Sequence, residues 1–97
     1  MYNTEQQTFL EYVNQKVKSL FTKFPVPAHD FDHAFLVAQN ARVIATAENA
    51  RSVWLTEVAG ILHDIGRVTE FYTPGNTKRH HELSYEMLRD WFREDSY

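Results

Sequence analysis

The chain has 97 residues, 43% of them apolar and 14% aromatic, with a net charge of −3 when its histidines are neutral; that is enough apolar mass for one packed domain over 1–97, and no basic excess that would give nucleic-acid backbone binding electrostatic support. It has no cysteine, which excludes disulfides, thiol catalysis and cysteine-ligated zinc. No apolar run approaches the roughly 18 residues of a membrane span, and the polar start "MYNTEQQTF" has no signal-peptide pattern, so a soluble cytoplasmic domain with no membrane or nucleic-acid partner is expected.

Two loops punctuate the chain, "FPVPAHD" at 24–30 and "TPGNTK" at 73–78, because proline and glycine break regular structure. Before the first, Phe9, Tyr12, Val13, Val17, Leu20, Phe21 and Phe24 recur at spacings of three and four, one face of a helix over 4–24. Thr4 and Gln7 fit a capping box at its start, and Pro25 stops it. A second helix is expected over 31–48, capped by Asp30 or Asp32. Its stripe is Phe35, Ala38, Ala41 and Ala45, with Val37 and Ile44 beside it, and the small alanines let another helix come close. "AENAR" (47–51) reads as a short connection. Ser52 caps a third helix, "VWLTEVAGILHD". Val53, Trp54, Leu55, Val58, Ala59, Ile61 and Leu62 leave it little polar surface, so it should be central and covered all round, with Gly66 ending it. "RVTEFY" (67–72) reads as loop or an extra helical turn. A fourth helix over 80–94 carries Leu83, Met87, Leu88, Trp91 and Phe92 on one side. The class is all-α, a compact bundle of about four main helices. Phe35, Trp54, Trp91 and Phe92 are expected in the core or at its edge, and an uncovered Trp91/Phe92 face would drive homo-oligomerisation.

The five histidines fall at helix ends. His29 and His33 bracket the start of the second helix, His63 closes the third, and His80 and His81 open the fourth. Antiparallel packing of helices two and three would set His33 beside the His63–Asp64 pair. A carboxylate at the rim of a packed core is costly to desolvate, and a divalent cation offsets that cost. The mixed nitrogen–oxygen set of His33, His63 and Asp64 suits manganese, iron, cobalt, nickel or zinc better than calcium or magnesium. A His-Asp dipeptide alone means little, and the chain has two, at 29–30 and 63–64. The second is the informative one, because it ends an apolar helix, is followed by Ile-Gly-Arg, and has a partner histidine on the preceding helix. Arg67 directly follows this pair, and a guanidinium pairs with phosphate in bidentate fashion.

"HDFDHAFLVAQNARVIA" (29–45), "LTEVAGILHDIGR" (55–67) and "HHELSYEMLRDW" (80–91) together resemble the HD superfamily of metal-dependent phosphohydrolases. The family pattern is a histidine opening one helix, a His-Asp pair ending the next, and an aspartate on a later helix. His33 matches the first position, and His63 and Asp64 match the pair. The resemblance implies an HD-type helical domain, a divalent ion (magnesium included) held by His33, His63 and Asp64, and catalytic roles for Asp64, Arg67 and His81. In the run "HELS", His81 resembles a position facing the cleft. The "HDFDH" start implies a supporting or substrate-facing role for His29 and Asp30, although capping alone accounts for Asp30. One departure stands out. The family's last aspartate lies several dozen residues after the pair, whereas Asp90 and Asp95 come too early. The chain is therefore expected to correspond to the N-terminal part of an HD domain, truncated before its last helices.

The resulting expectation is hydrolysis of a small phosphorylated substrate, a nucleotide or a similar metabolite, by metal-activated water. No side chain resembles a covalent nucleophile with an adjacent base. The alternative is a catalytically incomplete nucleotide-binding or regulatory module that lacks the final aspartate.

Overall fold

A computed structural model describes residues 2–96. Its order is α1 (Thr4–Lys23), α2 (Phe31–Ala47), α3 (Val53–Leu62), α4 (Gly66–Tyr72) and α5 (His80–Glu94), and no strand occurs among the described residues. The all-α class holds. The 67–72 stretch is a short two-turn helix, the extra helical turn allowed for there, added to the four main helices.

The caps show why the helices start where they do. Asn3, rather than Thr4, caps α1, and it forms a reciprocal capping box with Gln6. Asp30 is the cap of α2 and Ser52 that of α3. Each side chain accepts from the backbone N–H three residues on, satisfying a donor the helix leaves free.

Leu10, Val13, Val17 and Phe21 of α1 pack with Val58, Ile61 and Leu62 of α3, and with Ala34 and Ala38 of α2. The buried stripe of α2 is Ala34, Ala38 and Ala45, with Ala41 half-buried. Phe35, expected in that stripe, is 43% exposed and stacks against Phe31. The core at this position is a close helix–helix seam with room only for methyl groups, so the large ring is turned outward. Gly60 of α3 closes the seam: a Cβ there would lie 2.9 Å from the Ala38 Cα.

Two further expectations change. First, α3 is not covered all round: Leu55 is 57% exposed and Ala59 is exposed. Helix α5 packs chiefly on α4, leaving an apolar groove of about 690 Å³ between α3 and α5. Trp54, Trp91 and Phe92 lie half-buried at the core edge, and the Phe9 ring, 5.7 Å from Trp54 and 5.8 Å from Phe92, bridges them. Second, Gly66 does not end α3. That helix stops at Leu62, a three-residue turn follows, and Gly66 is the first residue of α4. Its role is close approach: a Cβ would fall 1.8 Å from the His80 carbonyl oxygen and 2.7 Å from the Ser84 nitrogen. The bare backbone lets the Gly66 N–H donate to Ser84 Oγ at 2.8 Å, while that hydroxyl donates to His80 O at 2.8 Å.

One polar group is buried away from the histidines. Glu57 is 4% exposed, accepts from the Tyr2 hydroxyl at 2.6 Å and from Gln39 Nε2 at 3.3 Å, and faces Arg42. Burial, then the Glu57 hydrogen bond, push the Tyr2 phenol up to about 12.

Gly66→Ala should lower the free energy of unfolding by about 3 kcal/mol, since the clash is with backbone that cannot rotate away. Urea denaturation monitored by circular dichroism measures it, and a loss under 1 kcal/mol would contradict the close-approach role.

Candidate metal centre

The loop before α2 delivers the first two imidazoles. Ala28 adopts φ 65, a left-handed conformation that turns the chain, and the His29 N–H donates to Val26 O at 3.1 Å. Asp30 then caps the helix by accepting from the His33 N–H at 2.8 Å. His33 is thereby fixed in the first turn of α2, with its ring 6.1 Å from that of His29.

The turn after α3 delivers the pair. His63 Nδ1 donates to Gly60 O at 2.6 Å. The acceptor is a carbonyl, so the proton sits on Nδ1 and a neutral His63 presents Nε2 as a lone pair. That nitrogen lies 3.1 Å from Asp64 Oδ2, which is also an acceptor. Two acceptors at this distance repel unless positive charge lies with them, either a proton on Nε2 or a metal ion. Donation of the second ring nitrogen to a backbone carbonyl is how metal-bound histidines are commonly oriented.

Asp64 is 6% exposed. His29 Nδ1 donates to its Oδ2 at 2.9 Å, and Arg67 Nε stands 3.6 Å from Oδ1. Burial alone would raise the Asp64 carboxyl; the His29 hydrogen bond and the charges of His63, His29 and Arg67 outweigh it and hold it below the ordinary carboxylate range.

Ligand atoms of His29, His33 and Asp64 all lie within 4.8 Å of one another. An ion about 2.1 Å from each donor needs them within about 4.2 Å, so a small inward shift closes the cluster on a transition ion. His63 joins through Asp64, with its ring 6.2 Å from that of His33. The donor set therefore fits a divalent ion, and Arg67 Nε beside it is buried without a hydrogen-bond acceptor.

The packing of α2 on α3 sets His33 and Asp64 in one cluster with His29, while His63, expected there from the sequence, lies beside Asp64 with its ring 6.2 Å from that of His33. His29, placed by sequence in a supporting role, is the group bonded most closely to Asp64, and its spacing of four from His33 is the only sequence signal for that. His81 stays outside the cluster. It is exposed on α5, across the apolar groove from His63, with its ring 5.1 Å from that of His80. Asp90 and Asp95 do not join either. Asp90 is exposed beside Arg89, and Asp95 is held at the end of α5 by the Tyr12 hydroxyl at 2.6 Å and Lys16 at 3.0 Å.

The family profile of the HD domain matches residues 30–97, a span holding His33, His63, Asp64, Arg67 and His81. The chain belongs to the HD domain family. That membership points to the superfamily of metal-dependent phosphohydrolases and to a divalent ion at an HD-type histidine–aspartate cluster. No curated protein and no solved structure matches the chain. No helix among the described residues is long and apolar enough to cross a membrane.

A carboxylate depressed by folding adds stability that is fully present above its unfolded pKa of about 3.9 and is lost as pH falls through the lower folded value. In EDTA-treated protein, Asp64→Asn should flatten the loss of stability below about pH 4. Urea unfolding at stepped pH tests this, and an unchanged acid limb would show that the carboxylate is not coupled to its neighbours.

Proposed function

We propose that this HD domain hydrolyses a phosphate ester or phosphoanhydride of a nucleotide or another small phosphorylated metabolite, with a divalent ion held by His33, His63 and Asp64 and with His29 within reach. The observation that carries the reading is the cluster of ligand atoms of His29, His33 and Asp64, all within 4.8 Å of one another, with His63 Nε2 3.1 Å from Asp64 Oδ2 beside it. Such a cluster suits a cation, and family membership indicates the chemistry in which it serves.

When bound, a divalent ion supplies water acidified towards neutrality as the nucleophile. The chain's own residues do the rest. Gly60 O holds the His63 ring, and His29 Nδ1 steadies the Asp64 carboxylate. Asp64 Oδ1, not engaged by His29, can accept a hydrogen bond from the attacking water and orient it. Arg67, which borders the adjoining cavity, offers guanidinium N–H groups to a phosphoryl oxygen as negative charge builds there. His81, across the groove, is positioned for a more distant part of the substrate.

A non-hydrolytic nucleotide-binding module is the second reading. It draws on Asp90 and Asp95, the aspartates that follow the pair, being engaged elsewhere. The two readings part on turnover.

Manganese at about 100 times its Kd should raise stability by about 2.7 kcal/mol, a melting shift on the order of 10 °C, and His33→Ala should remove it. Differential scanning fluorimetry with manganese and with EDTA reads this directly; equal melting temperatures would remove the metal from the reading. Phosphate release should then be assayed on a panel of nucleotides and sugar phosphates with manganese. Turnover should be abolished in His63→Ala, and a mutant as fast as the parent would overturn that residue's role.

A further inference from the structure

Glu70 takes no part in the metal cluster, yet it sits on the residue proposed to meet substrate. Its Oε1 accepts from Arg67 Nη1 at 3.0 Å, and its Oε2 lies 3.9 Å from His80 Nδ1. Arg67 Nε is in the opposite situation. It is buried with no acceptor, and Asp64 Oδ1 at 3.6 Å is beyond hydrogen-bond reach. The guanidinium is thus engaged at one nitrogen and unsatisfied at another. Arg67 and Glu70 border a cavity of about 420 Å³ whose wall also includes His29 of the metal cluster. The cavity therefore adjoins the metal cluster at His29.

We infer that Glu70 is an internal competitor for the substrate's phosphate: its carboxylate occupies the Arg67 fork until a phosphoryl group displaces it. The inference rests on the reading of Arg67 as a phosphate contact. The geometry shows how displacement can be favourable. A phosphoryl group carries several oxygens and can engage two guanidinium N–H groups together, the bidentate arrangement a guanidinium favours. Glu70 engages Nη1 alone. Its carboxylate is 38% exposed, so leaving Arg67 returns it to water with little desolvation to recover, and its second oxygen already faces His80. Glu70 acts through Arg67 and is a positioning and selectivity residue. It lowers the affinity of the empty site for stray anions, and a ligand that engages two guanidinium nitrogens displaces it.

The test is calorimetric binding of inorganic phosphate to the full chain, with and without manganese, in the parent, Glu70→Gln, Arg67→Met and the double variant. Thermal unfolding confirms that each is folded. Losing an exposed ionic competitor should tighten phosphate about three- to fivefold in Glu70→Gln. Arg67→Met should weaken it, and adding Glu70→Gln to Arg67→Met should then have no effect. If Arg67→Met weakens binding while Glu70→Gln leaves it equal or weaker, Glu70 is only a strut for Arg67: the inference is wrong and the phosphate contact stands. If Glu70→Gln tightens phosphate equally in the Arg67→Met background, the effect is general charge and competition is again excluded. If Arg67→Met changes nothing, the phosphate-contact reading fails and this inference fails with it. Should Glu70→Gln unfold, Glu70→Ser carries the same comparison.

Discussion

Two backbone contacts, one on each side of a three-residue turn, hold this molecule's chemistry in place. At Gly60 the end of α3 lies directly against Ala38 of α2, and at Gly66 the start of α4 lies against the first turn of α5. Neither approach leaves room for a side chain. Between them the chain must reverse out of an apolar helix over residues 63–65, and in that turn it presents an imidazole and a carboxylate. Gly60 contributes twice, because its carbonyl also takes the His63 proton. The tautomer, the ring orientation and the helix seam are therefore consequences of one close contact.

The electrostatics follow from that placement. A nearly buried carboxylate is tolerated because positive or donating groups reach it from three segments: His29 from the loop before α2, His63 from its own turn and Arg67 from α4. The arrangement is satisfied only in part. A guanidinium nitrogen of Arg67 lies buried without an acceptor. Elsewhere the buried polar groups are paired: Glu57 with Tyr2 and Gln39, and Ser84 with the backbone on both sides. Among the described residues the one buried side-chain atom without a hydrogen-bond partner lies at the histidine end of the bundle, and a buried group left in that state calls for an explanation.

Much of this was readable from residue order. The spacing of Val13, Val17 and Phe21 placed α1, and Asp30 and Ser52 placed the starts of α2 and α3. The His-Asp pair after an apolar run, with a histidine on the preceding helix, located the cluster. What misled were short-range signals with two meanings. Gly66 reads as a helix stop, but its freedom from a side chain is used for packing on His80 and Ser84 instead of for a left-handed turn. Phe35 falls on the alanine spacing, yet the seam is too narrow for a ring. Leu55 and Ala59 make α3 look fully enclosed, while α5 leans on α4 and leaves that face open.

By itself, the sequence determined the helical class, the caps of α2 and α3, the loops and the nomination of His33, His63 and Asp64 as candidate ligands, because periodicity, capping and motif order are local properties of the chain. Only the tertiary structure decided that His29 bonds Asp64, that the His63 proton is committed to Gly60, and that Arg67 is shared between Asp64 and Glu70. Those relations join residues separated by up to 35 positions or depend on a side chain's direction, and both are set by how closely the helices pack.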